Sequence, residues 1–314
     1  MSISKLHTIY AVKLDTATLA GSSVLFDQIQ SFAISTGIQR IAQSGDGQVN
    51  PTYVAVMSQR PVLRFGTSAI ATALAACGIS GTVIDADVTY PGIEAWFQKL
   101  EEGGVRASGS SHLKMTGAQG ILVPRSLSAS QDGVAMVDFE AILTYDGTLD
   151  PVVIADNQAL EGSPAVGELF TVGPVSINGA TIEGIQGITV DFGISVISRA
   201  GDGQVWPTYA AIMSRAPSIQ IQTTDVVSLA TFGLSGTAQG ASDSVVYFRK
   251  LSEGGTRVAD GTAEHVSITV DDGIITVDNL EGSQDGVSGS TVTITPSDDE
   301  SNAILAVSTA AAIS

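Results

Sequence analysis

Residues 44–61 read SGDGQVNPTYVAVMSQRP, and residues 200–217 read AGDGQVWPTYAAIMSRAP. The two are identical at 12 of 18 positions with a constant offset of 156. An irregular stretch repeated at that spacing constrains the fold strongly, because each half must build the same local structure. Further pairs follow in the same order. FQKLEEGGVR (97–106) matches FRKLSEGGTR (248–257), SQDGV (130–134) matches SQDGV (283–287), and GISGT (78–82) matches GLSGT (233–237). FDQIQS (26–31) faces IEGIQG (182–187), and His112 falls opposite His265. The sequence therefore predicts a tandem duplication: one β domain over 1–157, a linker over 158–164, and a second copy over 165–314. Each half is long enough to bury its own core.

Within a half, the patterning is mostly that of strands. HVSITV-DDG-IITVDNL (265–280) alternates around a glycine turn, which predicts a hairpin. STVTITPSDDESNAILAVST (290–309) predicts a second pair of strands around an acidic turn. In VDFEAILTYDGTLDPVVIA (137–155), period two puts Val137, Phe139, Ala141, Leu143 and Tyr145 on one face. One segment per half breaks the pattern. TSAIATALAACG (67–78) and TTDVVSLATFG (223–233) start on Thr, carry apolar residues three and four apart and end at Gly, which predicts a short capped helix. The expected unit is mainly β, a β-sandwich or barrel-forming sheet with one flanking helix per copy. The first half has VIDADVTYPGIEAW (83–96) where the second has the shorter AQGASDSVVY (238–247), an excess expected in a surface loop.

Charge narrows the function. The chain has 32 acidic and 14 basic residues, and no Lys or Arg follows Arg257. Gripping a nucleic-acid backbone needs cations that displace counterions, so binding to phosphate is not expected. No apolar run approaches the roughly 20 residues that span a bilayer, so no membrane association is expected. The opening MSISKLHTIYAVKLD lacks a continuous apolar core, so a secretory signal is not expected either. The single cysteine, Cys77, reads as a small buried hydrophobe.

Few residues suggest chemistry. Asp46 and Asp202 sit in the matched GDGQV loops with Gln48 and Gln204, too few oxygens for a calcium site. Gly45, Gly47, Gly201 and Gly203 read instead as hairpin tips whose glycines accept positive φ. The EGG of 102–104 and 253–255 lacks the lysine and helix context of a phosphate loop. No nucleophile elbow or triad order is present, so no catalysis, metal or cofactor is expected.

A duplicated β domain, an acidic balance and the absence of a catalytic set resemble the tail tube proteins of long-tailed bacteriophages, in the variant that fuses two domains per chain. The resemblance implies a structural virion protein, assembled in the bacterial cytoplasm as trimeric, pseudo-hexameric rings. These rings would stack into a hollow conduit through which double-stranded DNA passes without specific binding. It also implies tape-measure, tail terminator and baseplate proteins as partners. On that reading, Asp138 and Glu140 are candidate lumen-facing acids, since they alternate with Val137, Phe139 and Ala141. The glycines, Asp46, Gln48, Asp202 and Gln204 of the GDGQV loops are candidate inter-subunit contacts. The alternative reading is a tandem β-sandwich adhesin or carbohydrate-binding module, which calls for an exposed aromatic groove.

Overall fold

A computed structural model describes residues 6–19, 23–86, 90–101, 104–227, 232, 236–238, 243–284, 286–298 and 303–314. The chain is mainly β. The first half contributes β1 (His7–Asp15), β2 (Val24–Phe26), β3 (Ile29–Ser35), β4 (Gln39–Gln43), β5 (Tyr53–Ser58) and β6 (Val62–Thr67). After helix α1 (Ile70–Cys77) come β7 (Thr82–Asp85), β8 (Gly92–Lys99), β9 (His112–Gly117), β10 (Gln119–Ser130), β11 (Met136–Thr144) and β12 (Val153–Gln158). The second half begins with β13 (Leu169–Ile177), β14 (Ala180–Ile182), β15 (Ile185–Asp191), β16 (Ile194–Arg199), β17 (Tyr209–Arg215) and β18 (Ser218–Thr223). It ends with β19 (Thr237–Ala238), β20 (Ser244–Leu251), β21 (His265–Val270), β22 (Gly273–Ser283), β23 (Gly286–Pro296) and β24 (Ala306–Ala311).

Among the described residues, nine antiparallel pairings recur in both halves. In the first they are β1 with β2 and β8, β9 with β8 and β12, β6 with β3 and β11, β10 with β7 and β11, and the hairpin β4–β5. Adding twelve to each strand number gives the pairings of the second half. A tenth contact, β10 with β15, joins the halves edge to edge. One large sheet thus runs β19-β22-β23-β18-β15-β10-β11-β6-β3, with β7 on β10. Two five-stranded sheets, β12-β9-β8-β1-β2 and β14-β13-β20-β21-β24, accompany it.

Between the large sheet and the smaller ones lies a core built by alternation. Along β11, Val137, Phe139, Ala141 and Leu143 are buried, as period two predicts. Phe26, Phe65 and Phe139 form its centre in the first half, with ring centroids 5.2 to 5.7 Å apart. Helix α1 buries Ile70, Ala73, Leu74 and Cys77. The expected threonine cap is not formed: the N-cap is Ala69, with no side-chain cap bond, and Thr67 Oγ1 instead accepts the Ala69 N–H at 3.1 Å ahead of the helix. Its end is set at Gly78, where φ is 60° and the N–H reaches the Leu74 carbonyl at 2.9 Å. Of the helix expected within 223–233, residues 228–231 and 233 lie outside the described residues; Thr223 ends a strand, and 224–227 and 232 are not helical.

Three further expectations need correction. The 265–280 segment is not a hairpin: β21 pairs with β20 and β24, whereas β22 pairs with β19 and β23. The turn carries the chain from one sheet to the other. Gly273, at φ 150°, makes the crossing, because a Cβ there would lie 2.4 Å from the Thr295 carbonyl oxygen. Likewise β23 and β24, within 290–309, belong to different sheets. The 83–96 segment is largely strand, since Thr82–Asp85 pairs with β10 and Gly92–Lys99 with β1 and β9. The linker is tied down: Tyr10 donates to the Gly162 carbonyl at 3.1 Å, and Glu161 pairs with Lys13 at 2.5 Å.

Candidate functional site

The most distinctive surface is the outer face of the large sheet, opposite the core. Cross-strand partners share a face, so the register assigns its residues. Gly66 opposes both Ser31 and Asp138, Asp138 opposes Ser126, and Ser126 opposes Asp191. Ser128 and Thr189 follow, then Gln220, Thr293 and Thr276 across the second half. Hydroxyl and amide side chains therefore dominate a face that continues through both halves. Among the described residues, the charged ones on it are Asp85, Asp138, Glu140, Asp191, Asp278 and Glu281 against Arg64 and Arg125.

Asp138 and Glu140 lie on this face, as alternation requires, but their surroundings differ. Asp138 is half-buried and accepts a hydrogen bond from Ser126 at 3.2 Å. Glu140 is buried and clamped between two guanidinium groups, Arg64 Nε at 2.7 Å and Arg125 Nη2 at 2.6 Å. Burial alone would raise its pKa, but the hydrogen bonds and charges of Arg125 and Arg64 win and hold it below the ordinary carboxylate value. Glu140 is thus not an open acid. Hairpin β16–β17 packs over β10 and β11 at this place, and Arg125 also donates to the Ile194 carbonyl. Sequence reasoning missed both arginines, because their partner comes from other strands. The one available signal was a lone cation in the alternating stretch VLRFGT of β6.

The corresponding cluster in the second half is different. There Asp278 accepts from Thr276 at 3.0 Å and from Thr293. Thr293 occupies the position of Glu140, and Gln220 that of Arg64.

The halves meet at β10 and β15, with Leu127 opposite Val190 and Ser128 opposite Thr189. Backbone contacts extend the junction: Phe192 N–H to the Arg125 carbonyl at 3.1 Å, Gln59 N–H to Val205 at 2.8 Å and Tyr145 N–H to Pro207 at 2.8 Å. Trp206 donates to Gln59 Oε1 at 2.8 Å and packs on the Tyr145 ring at 5.3 Å. The GDGQV loops are the tips of hairpins β4–β5 and β16–β17. Each closes by a turn, Gln48 N–H to Gly45 and Gln204 N–H to Gly201, with Gly47 and Gly203 at φ 76° and 73°. Gly45, Asp46, Gly47 and Gln48 are exposed, as are Gly201, Asp202, Gly203 and Gln204. In the second hairpin the cross-half contacts come from Val205, Trp206 and Pro207, just past the tip.

The remaining candidates are structural. His112 and His265 are buried, and each Nδ1 accepts a backbone N–H at 3.1 Å, from Lys99 and Lys250 respectively. Burial pushes the Cys77 thiol up to about 12, which makes it a poor nucleophile. Trp96 is buried in the core and presents no stacking platform. Gly254 and Gly255 form a turn closed by Ser252 N–H to the Thr256 carbonyl at 2.8 Å; part of the first EGG lies outside the described residues. Among the described residues, no group of three or more His, Cys, Asp or Glu side chains is placed to hold a metal ion. Among them too, no helix is long and apolar enough to cross a membrane. No protein-family model matches the chain, and no curated protein matches it either.

Proposed function

We propose that the chain is a ring-forming structural subunit of the bacteriophage tail-tube kind, with two copies of one β unit arising by tandem duplication. Three chains place six units around a ring, and rings stack into a hollow tube. The observation that carries this reading is the junction itself. The halves are joined by strand pairing between β10 and β15, so one sheet, with one polar face, passes through both. Repeating a heterologous contact of that kind closes a ring when the rotation permits, and a closed barrel leaves no edge strand exposed.

The polar face suits a conduit wall. Serine, threonine and glutamine offer no charge to phosphate, and the acids outnumber the two arginines, one of which is committed at both ends to Glu140 and Ile194. A duplex meets few attractive contacts there, and each cation avoided removes affinity. Negative-stain electron microscopy of the purified protein tests the proposal. Rings or tubes with a central channel are the expected result, and isolated particles at every concentration would contradict it.

A further inference from the structure

Position by position, the two halves align well enough to ask what each is missing. β3 and β15 take the same partners, β6 and β18, with the same register shift, at an offset of 156. β10 and β22 align at an offset of 153, with matching shifts at Pro124/Ser126 and Val277/Asn279. Within the chain, residues 126–130 of β10 are paired by residues 187–191 of β15. The corresponding residues 279–283 of β22 have no strand partner on that edge among the described residues, and the corresponding strand β3 has only β6. The two unfilled edges lie at opposite ends of the large sheet, so one chain cannot join them itself.

We propose that β3 of one copy pairs antiparallel with β22 of a second copy, in the register that β15 takes on β10. This rests on the ring reading above and assigns its contact. The register places Ile34 opposite Leu280, Ala33 opposite Glu281 and Ser35 opposite Asn279.

Burial supports a missing neighbour at these residues. Leu127 and Val190, a cross-strand pair inside the chain, are both 0% exposed, whereas their counterparts Leu280 and Ile34 are 57% and 37% exposed. Both counterparts belong to the core side of the sheet, where apolar surface is normally covered. The same holds for the hairpins. Hairpin β16–β17 covers β10 and β11, leaving Ile194 3% exposed and Ile121 8%. The matching Ile38, just before hairpin β4–β5, is 37% exposed, and Ile274, matching Ile121, is 54% exposed. A second copy seated with β3 on β22 brings these two surfaces together as well.

Charge agrees with the register. Arg64 opposes Ala33 on β6, and Ala33 would oppose Glu281 on the neighbour. The small alanine leaves the half-free guanidinium and the carboxylate about two strand spacings apart, roughly 10 Å between Cα atoms and within reach of two long side chains. The internal junction has uncharged Gln220, Thr189 and Ser128 in these three places.

Cysteine cross-linking of the full-length chain tests the register. Directly opposed residues lie within disulfide range, and native Cys77 is buried and does not compete. Under mild oxidation, the double variant Ile34→Cys with Leu280→Cys is expected to form a reducible ladder of linked chains. Ala33→Cys with Leu280→Cys, whose side chains fall on opposite faces, is expected to link at least about tenfold less. Leu280→Lys, at an exposed position that leaves the fold intact, is expected to weaken assembly by at least about tenfold. Equal linking by both cysteine pairs, or none, in protein that still forms rings would overturn the register and leave the ring reading standing. A correct ladder that grows only as open filaments would support the pairing and overturn the ring. Protein that never assembles overturns both.

Discussion

The centres of the two halves occupy the same lattice and fill it differently. Phe26, Phe65 and Phe139 in the first half are replaced by Ile182, Ile221 and Val292 at the matching positions, yet all six are buried to within 1% and the pairings around them are the same. The polar face shows a parallel change: the Arg64–Glu140–Arg125 cluster gives way to Gln220, Thr293 and Asp278. Strand order and register thus survive a change from aromatic to aliphatic packing and from an ion-pair cluster to hydroxyl–carboxylate hydrogen bonds. What both halves keep is the alternation of apolar and polar positions, the register shifts and the turn glycines. The lesson is that pairing is specified by pattern and turn geometry, while each core is repacked on its own terms.

Substitution at the centre of each half should break this comparison most strongly. Phe139→Ala removes a ring that stacks on Phe65 at 5.3 Å and is expected to cost about 3–5 kcal/mol. Val292→Ala, at the matching place, removes far less and is expected to cost about 1–2.5 kcal/mol. Urea unfolding of the two variants checks both; equal losses would mean that the first core has relaxed around its aromatics.

The polar face gives the next effect. Glu140→Lys leaves Arg64 and Arg125 facing a third cation under a covering hairpin, with an expected loss of about 2–4 kcal/mol. Asp138→Lys, at a half-exposed place, should cost less than about 1 kcal/mol; on the proposed tube reading it is the variant expected to slow DNA passage, more at low salt than at high. The pH dependence has a definite sign. The folded-state pKa of Glu140 is lowered from 4.5, so its contribution is present above that value and is lost as pH falls through the folded pKa. Glu140→Gln should therefore flatten the acid limb of a stability curve below about pH 4.5, whereas Thr293→Ser in the second half should not.

A third comparison concerns Gly120 and Gly273, at φ 149° and 150°. A Cβ would lie 2.1 Å from the Ile142 carbonyl oxygen in one and 2.4 Å from that of Thr295 in the other. Alanine at either site is expected to cost about 1–3 kcal/mol by thermal or urea unfolding, with the two losses alike. A large inequality would show that the crossings carry different loads.

The smallest effect separates Asp27 from its exposed counterpart Glu183. Burial raises the Asp27 pKa, opposed by a hydrogen bond from the Ala165 N–H, and its Oδ1 has no hydrogen-bond partner among the described residues. A raised carboxylate favours folding below its unfolded pKa and loses that contribution as pH rises through the folded value. Asp27→Asn should therefore stabilise the protein at neutral pH by about 0.5–1 kcal/mol and barely change it near pH 3. Glu183→Gln, at an exposed position, should change stability by less than about 0.5 kcal/mol.

Much of this organisation was legible in the sequence, and the exceptions share a cause. The matched stretches located the hairpin tips, and period two placed Val137, Phe139, Ala141 and Leu143 inward. The helix at Ile70–Cys77 followed from its spacing and terminal glycine. What failed was non-local. An alternating stretch with a glycine turn reads identically whether it folds back as a hairpin or crosses between sheets, as residues 265–280 do. The face of Glu140 was readable, but its arginines and covering hairpin come from β6, β10 and β16–β17, which pattern along β11 cannot reveal. The edge at β22 was equally hidden, because a missing neighbour is a property of the pairing map.

Native mass spectrometry of the smallest stable assembly tests the central claim most directly. Two equivalent units per chain around a six-unit ring predict three chains, about 96 kDa from three times 32.1 kDa, with larger species in multiples of three. A single chain at all concentrations, or a smallest closed species of two, four or six chains, would contradict the account.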